Sequence, residues 1–296
     1  MWHTGRNAES RARQALTIDR DRIYQLFKYS VYALLTLNLY VFFSVEWAAS
    51  AYRFSDGLAI ADIIEGFAAS IDTAAWVVLL LMFELETYVL EDRHMTKPVI
   101  WTLHGLRTIC YVIIVYAAYG YLSKLIYLYG ATPIPQLSDP CTLVDGRWAY
   151  AVGFDEYEIL TAANCGSVSS AGSFLQYPGV LVVVDRAGLV DIIRLAWVDV
   201  INSDVWLLVV LVLELDVWLQ ERRNRQGLVL RLTNVAKFVL YATLFLAAVY
   251  WGFKGDFVDF WDAFLWLVAF IFIELNVVEW RQEGAVAENP AEAARA

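Results

Sequence analysis

Six long apolar segments constrain the fold of this 296-residue chain more than any other feature. An α-helix rises about 1.5 Å per residue, so roughly 17–25 apolar residues span a bilayer. Each segment reaches that length when it is extended to its polar boundaries. The chain is also 59% hydrophobic, above the roughly 45–50% of soluble domains. The pattern predicts an all-α polytopic membrane protein with spans at 23–47, 71–91, 99–128, 200–221, 229–252 and 260–281.

The distribution of Lys and Arg predicts the orientation of these spans. Most of the 22 basic residues flank the segments on the side of the N-terminus, and basic loops are typically cytoplasmic. The first 22 residues are polar and lack the apolar core of a cleavable signal peptide. We therefore expect both termini in the cytoplasm and the protein in the inner membrane of a prokaryote. The opposite loops are acidic, which indicates either a solvated outer surface or a vestibule that concentrates cations.

The even-numbered spans repeat one another in sequence. The segments FELETYVLEDR (83–93), LELDVWLQERR (213–223) and IELNVVEWRQE (273–283) align on a shared glutamate. A tryptophan precedes each glutamate by eight residues, and Asp or Asn precedes it by twelve. The equivalent positions are Glu84, Glu214 and Glu274; Trp76, Trp206 and Trp266; and Asp72, Asn202 and Asp262.

The odd-numbered spans repeat as well, since each places a tyrosine four residues after a base. These pairs are Lys28 and Tyr32, Arg107 and Tyr111, and Lys237 and Tyr241. Together the two patterns predict three helical hairpins, an arrangement known from membrane transporters. The predicted boundaries are a cytoplasmic tail at 1–22, hairpins at 23–93, 97–223 and 228–283, and a second cytoplasmic tail at 284–296.

The second hairpin carries an insertion at 130–185 that is rich in turn formers. Within it, RWAYAV and VLVVVD are typical of short strands, so we expect a small outer subdomain. Cys141 and Cys165 both lie there, and in an oxidising compartment they would form a disulfide; the alternative is two free thiols. Amphipathic segments at 57–67 and 188–197 are suited to lie at the outer interface.

The repeated charges form a predicted intramembrane belt. Glu84 falls roughly 10 Å inside the inner boundary, and Lys28 and Lys237 fall at a similar depth. Because an isolated charge there costs on the order of 2–3 kcal/mol, we expect each glutamate to pair with a base. Glu86 points about 200° away from Glu84 on an α-helix and is assigned to another interface. The belt either staples the helices together or forms a gate or cation site, with the repeated Tyr and Trp residues in support.

The chain lacks the motifs of several functional classes. It contains no P-loop, GxSxG or HExxH motif and no paired-histidine pattern within the helices. We therefore expect no enzyme activity, no cofactor, no metal and no nucleic-acid partner. The leading hypothesis is a channel or transporter for protons or a small cation. The alternative is a scaffold or accessory subunit that holds a protein partner through its insertion, and a homo-oligomer stays open in both cases.

Overall fold

The computed structural model describes residues 4–54, 57, 59–86, 96–135, 137–168, 173–221 and 227–288. Within these ranges the side chains of 4–21, 60–61, 145, 216–221, 227–230 and 273–288 lie outside the description. The backbone is mostly helical. The helices are α1 Thr4–Arg53, α2 Ile60–Gly66, α3 Ala68–Glu84, α4 Lys97–Tyr129, α5 Arg186–Glu221, α6 Gly227–Lys254 and α7 Phe257–Glu288.

Four helices in the described part of the chain are long and apolar enough to cross a membrane. They are Arg22–Arg53, Lys97–Tyr129, Arg186–Leu215 and Arg231–Lys254, and they coincide with four of the six expected spans. The other two segments are also helical, as α3 and α7. The six-span arrangement itself stays a prediction. The chain begins its first helix at Thr4, within the predicted tail, because that stretch is rich in Ala, Arg, Gln and Glu, which favour helix.

The expectation of an all-α protein is incomplete, because the insertion folds as a five-stranded sheet. Its strands are β1 Thr132–Pro133, β2 Ala149–Gly153, β3 Glu156–Ile159, β4 Phe174–Gln176 and β5 Val182–Asp185. Their order is β1-β4-β5-β2-β3. The two strands anticipated from the sequence are β2 and β5, which lie side by side and parallel, while the other pairs are antiparallel.

Strand β5 lies at the centre of this sheet and shows why the insertion sits on the helices. Val182 and Val184 are buried against Leu125 of α4 and Ile192 of α5. Val183 points to the opposite face, as alternate strand residues must, and packs in the cluster around Cys165. Cys141 and Cys165 form a disulfide there, with their Cα atoms 5.0 Å apart.

Two compact units make up the chain: a terminal unit of 1–38 with 261–296, and a central unit of 39–260. In the terminal unit, Asn38 donates a hydrogen bond of 2.7 Å to Asp262. Tyr24 and Phe27 make edge-on ring contacts with Phe272. These contacts join the first half of α1 to α7 through one polar and two aromatic interactions.

In the central unit, α4 packs against α2, α3 and α5, and α5 also packs against α6. Two glycines permit close approach: a Cβ at Gly120 would lie 2.6 Å from the Ile64 carbonyl, and one at Gly66 would lie 2.6 Å from the Phe54 ring. At one end of this unit, α1 and α4 finish and α5 begins. We call it the insertion end. The far end is where α3 finishes and α4 begins.

Candidate functional site

The predicted belt at the far end is only partly assembled as expected. Glu84 is buried, whereas Glu214 is exposed and accepts a hydrogen bond of 3.3 Å from the Tyr111 hydroxyl. Lys237 is half-buried. Glu274 lies in α7, and its side chain is outside the described residues. The pairing of each belt base with a belt glutamate therefore stays a prediction.

Arg107 pairs with a carboxylate that is not one of the three repeated glutamates. Its guanidinium lies 2.6 Å from the Glu86 carboxylate. The sequence assigned Glu86 to another interface than Glu84, and that assignment stays a prediction. A π-helical turn begins at Leu85 and Glu86, directly after α3. Glu86 thus joins the end of α3 to the first turns of α4.

The supporting aromatic residues are mostly buried, and two of them meet. The rings of Trp76 and Trp206 have centroids 5.9 Å apart, so equivalent positions of the first two repeats are in contact. In the terminal unit, Tyr32 and Trp266 are buried. Tyr241 is half-buried. The tryptophans that stand eight residues before Glu84 and Glu214 therefore form a packing contact between α3 and α5.

The insertion end holds a charge network that the sequence did not reveal. Arg53, at the end of α1, lies 2.5 Å from Glu65 of α2 and 4.0 Å from Asp155 of the insertion. Lys124 of α4 forms a second ion pair with Asp155, and Ser123 donates a hydrogen bond of 3.0 Å to Glu65. The Arg53 and Lys124 side chains are 4% and 8% exposed. We call Arg53, Glu65, Lys124 and Asp155 the junction network.

Local backbone and aromatic rings position this network. Asp155 occupies the turn between β2 and β3 with φ of 60°, a left-handed conformation that Asp adopts more readily than most residues. The Lys124 ammonium lies 3.8 Å from the centre of the Phe154 ring, and the Arg53 guanidinium lies 4.8 Å from that of Tyr127. Both cations are thus held between a carboxylate and an aromatic face, which offsets part of their desolvation.

Glu46 of α1 has a separate role next to this network. Its carboxylate accepts hydrogen bonds from the backbone N–H groups of Ala69 and Ser70, at 2.9 and 3.1 Å, and from the Ser70 hydroxyl. Phe67, the residue before α3, provides no side-chain cap. Glu46 therefore caps α3 from another helix, where the unpaired N–H groups and the helix dipole favour a negative charge.

A third polar group lies deeper along the helices. On α5, Asp199 and Ser203 are buried, and the side-chain oxygens of Asn202 and Ser203 have no protein hydrogen-bond partner. The Trp251 indole of α6 faces Asp199 but does not reach hydrogen-bond geometry. On α4, the strongest charges acting on the Tyr121 hydroxyl are those of Asp72 and Asp199. We call Asp72, Tyr121, Asp199, Asn202 and Ser203 the helix-interior cluster.

Three tyrosines of the insertion stay neutral: Tyr157 and Tyr177 lie near the junction network, and Tyr150 packs on the opposite face of the sheet. Burial raises the pKa of Tyr157 well above its usual value, and the neighbouring Asp155 carboxylate adds to the effect. Burial also raises the pKa of Tyr177. Burial and a hydrogen bond of 2.6 Å to Asp185 raise the pKa of Tyr150. These hydroxyls act as hydrogen-bonding groups rather than as acids.

The junction network and the helix-interior cluster bring carboxylates, bases and hydroxyls together. Among the residues that the structure describes, no three His, Cys, Asp or Glu side chains are placed to hold a metal ion together. The one sequence signal for the junction network was the scarcity of bases on the acidic side of the chain, where Arg53 and Lys124 are exceptions.

No protein-family model, no curated protein and no solved structure matches this chain.

Proposed function

We propose that this protein moves protons or a small cation across a membrane, as a channel or transporter of six spans arranged in three hairpins with both termini in the cytoplasm. The helix-interior cluster is the observation that carries the proposal. Tyr121 lies about 12 Å inside the end of α4, at a depth where ionisable groups are costly and usually functional. Asp72 and Asp199 are carboxylates whose charges act on the Tyr121 hydroxyl.

The unpartnered oxygens of the cluster support transport over a purely structural role. Buried polar atoms in proteins almost always have a hydrogen-bond partner, either protein or ordered water. Asn202 Oδ1 and Ser203 Oγ have none from the protein, as we expect of oxygens that bind water or an ion. Polar groups of this kind between apolar helices are what a path for protons or cations requires.

The junction network fits the same proposal as a closure at the insertion end. Arg53 and Lys124 place two positive charges between the acidic insertion and the cluster, and fixed positive charges oppose the passage of cations. In this proposal, opening the path requires these bases to move away from Asp155. At the far end, the repeated glutamates and bases would form the second constriction.

Flux in liposomes tests the proposal. The purified protein is reconstituted in liposomes that contain a dye for H⁺, Na⁺ or K⁺, and the matching ion gradient is imposed in each case. We expect at least one gradient to dissipate faster than in protein-free liposomes. Glu84→Gln, Glu214→Gln and Glu274→Gln, singly and together, then ask whether the belt takes part. Absence of flux for every ion would contradict the proposal.

A scaffold is the second candidate, and the fixed position of the insertion favours it. The Lys124–Asp155 ion pair and a shared apolar core hold the sheet on α4 and α5, and the disulfide joins two segments of the insertion, which suits a rigid platform for a partner. Purification in a mild detergent, followed by native mass measurement, distinguishes the two. A stable stoichiometric partner together with zero flux would favour the scaffold, and an active protein that purifies alone would favour transport.

A further inference from the structure

One face of α5 carries three oxygen ligands in the helix interior. Asn202 and Ser203 follow Asp199 by three and four residues, so all three side chains lie on one side of the helix. Asp199 is 8% exposed and Ser203 is 3% exposed. A carboxylate, an amide oxygen and a hydroxyl are therefore presented together, away from bulk solvent.

The unmet hydrogen-bonding capacity of this face indicates an occupant that is not protein. Ser203 Oγ and Asn202 Oδ1 are buried without a protein partner. The indole N–H of Trp251, itself 3% exposed, faces Asp199 without completing a hydrogen bond. Leaving a buried polar group without a hydrogen bond costs roughly 1–3 kcal/mol. Two such groups on α5 and a third on α6 are therefore unfavourable unless a water or an ion binds them.

A second helix places another carboxylate at the same level. Asp72 lies four residues before Trp76, and Asn202 lies four residues before Trp206. The rings of these two tryptophans are in contact. Asp72 and Asp199 are also the two strongest charges acting on Tyr121, on the helix between them. The charges of α3 and α5 thus converge on one region next to α4.

We propose that Asp199, Asn202 and Ser203, with Asp72 opposite them, bind one dehydrated monovalent cation of the Na⁺ or K⁺ type. Oxygen-only ligands suit hard cations, while transition metals prefer nitrogen or sulfur. The α5 face itself presents one carboxylate and two neutral oxygens, so a single positive charge balances it.

Binding is tested without transport, by thermal unfolding of the full chain in detergent. Li⁺, Na⁺, K⁺ and choline are compared as chlorides at equal ionic strength. A ligand that binds the folded protein stabilises it in proportion to ln(1 + [L]/Kd). We expect one alkali cation to raise the melting temperature by several degrees over choline, with a saturable dose dependence. Equal melting temperatures in all four salts would overturn the proposal and would assign the space to water.

Three variants locate the site. In Asp199→Asn we expect the apparent affinity for the cation to fall at least ~10-fold, since the charged ligand is lost. Ser203→Ala removes a single neutral oxygen with little risk to folding, and should weaken binding by a smaller factor. Asp204→Asn is the matched control, because Asp204 is on the same helix but exposed. A cation-dependent shift that persists undiminished in Asp199→Asn and Ser203→Ala would overturn the assignment.

The inference rests on the proposed transport function, and the two fail in different ways. Flux without a cation-specific stabilisation would leave transport standing and remove this site. A cation-specific stabilisation that depends on Asp199, without any flux, would leave the site standing and remove transport. Isotope binding with ²²Na⁺ or ⁸⁶Rb⁺ on the same preparation decides the identity of the ion.

Discussion

The insertion end and the far end of the central unit both carry ion pairs, but they hold them in different ways. At the insertion end, Arg53 and Lys124 are less than a tenth exposed and share Asp155. At the far end, Arg107 and Glu86 are 29% and 22% exposed and form one pair. A shared, desolvated network is expensive to break because each loss leaves another charge buried, whereas a half-exposed pair is screened by solvent.

This contrast assigns different tasks to the two ends. The junction network joins α1, α2 and α4 to the insertion, so its geometry fixes where the sheet sits. The pair at the far end joins only α3 and α4. When it breaks, no third charge loses its partner. Under the transport proposal, the path would close near the insertion, where the bases are buried, and adjust at the opposite end.

The largest expected effect comes from removing the central cation of the network. Arg53→Met keeps much of the side-chain volume but leaves Glu65 without its ion-pair partner. We expect a loss of about 2–3 kcal/mol in the free energy of unfolding, because Glu65 and the more buried Asp155 both lose a positive partner. Unfolding in graded denaturant measures it. Arg194→Met is the control, because Arg194 is an exposed base at the same end.

The double variant Arg53→Met with Glu65→Gln makes this prediction specific. If the cost of Arg53→Met arises from an uncompensated carboxylate, neutralising Glu65 should restore part of the lost stability. Equal losses in Arg53→Met and Arg194→Met would show that the network is no more constrained than the surface.

An intermediate effect is expected from the cap of α3. Glu46→Gln preserves the shape of the side chain. The amide offers one acceptor oxygen to the three donors, which are the N–H groups of Ala69 and Ser70 and the Ser70 hydroxyl. We expect a loss of about 1–3 kcal/mol, because buried N–H groups of Ala69 or Ser70 are left unsatisfied. Glu156→Gln, at an exposed position of the insertion, is the matched control. Unchanged stability in Glu46→Gln would mean that water replaces the carboxylate.

The smallest effect is expected at the far end. Arg107→Met removes the partner of Glu86, and we expect a loss of at most about 1 kcal/mol, since half-exposed ion pairs contribute little. The same unfolding assay, run in parallel with Arg53→Met, gives the ratio of the two losses. A cost of Arg107→Met as large as that of Arg53→Met would remove the distinction between the two ends.

Part of this fold could be predicted because it is local in sequence. Apolar length located the four candidate spans, and the pattern of branched residues located β2 and β5. The break between α2 and α3 was anticipated as well, because an amphipathic segment at 57–67 precedes a longer apolar run. Strands β1 and β4 have only two and three residues, too few for an alternating pattern to be visible.

The candidate site was less predictable than the fold because its contacts are distant in sequence. The repeat alignment identified Asp72 and Asn202 as equivalent, but not that their helices meet through Trp76 and Trp206. Asp155 meets Lys124 only because the sheet folds back onto α4. The sequence did not reveal the pair of Arg107 and Glu86, because the two residues lie 21 positions apart.

Flux through two variants of one helix tests the central claim most directly. Asp199→Asn and Asp204→Asn each neutralise one aspartate of α5, but only Asp199 belongs to the helix-interior cluster. In liposomes with equal protein content, we predict that Asp204→Asn conducts like the unaltered protein and that Asp199→Asn loses at least ~90% of the flux, a tenfold change. Equal flux through both variants would contradict the account.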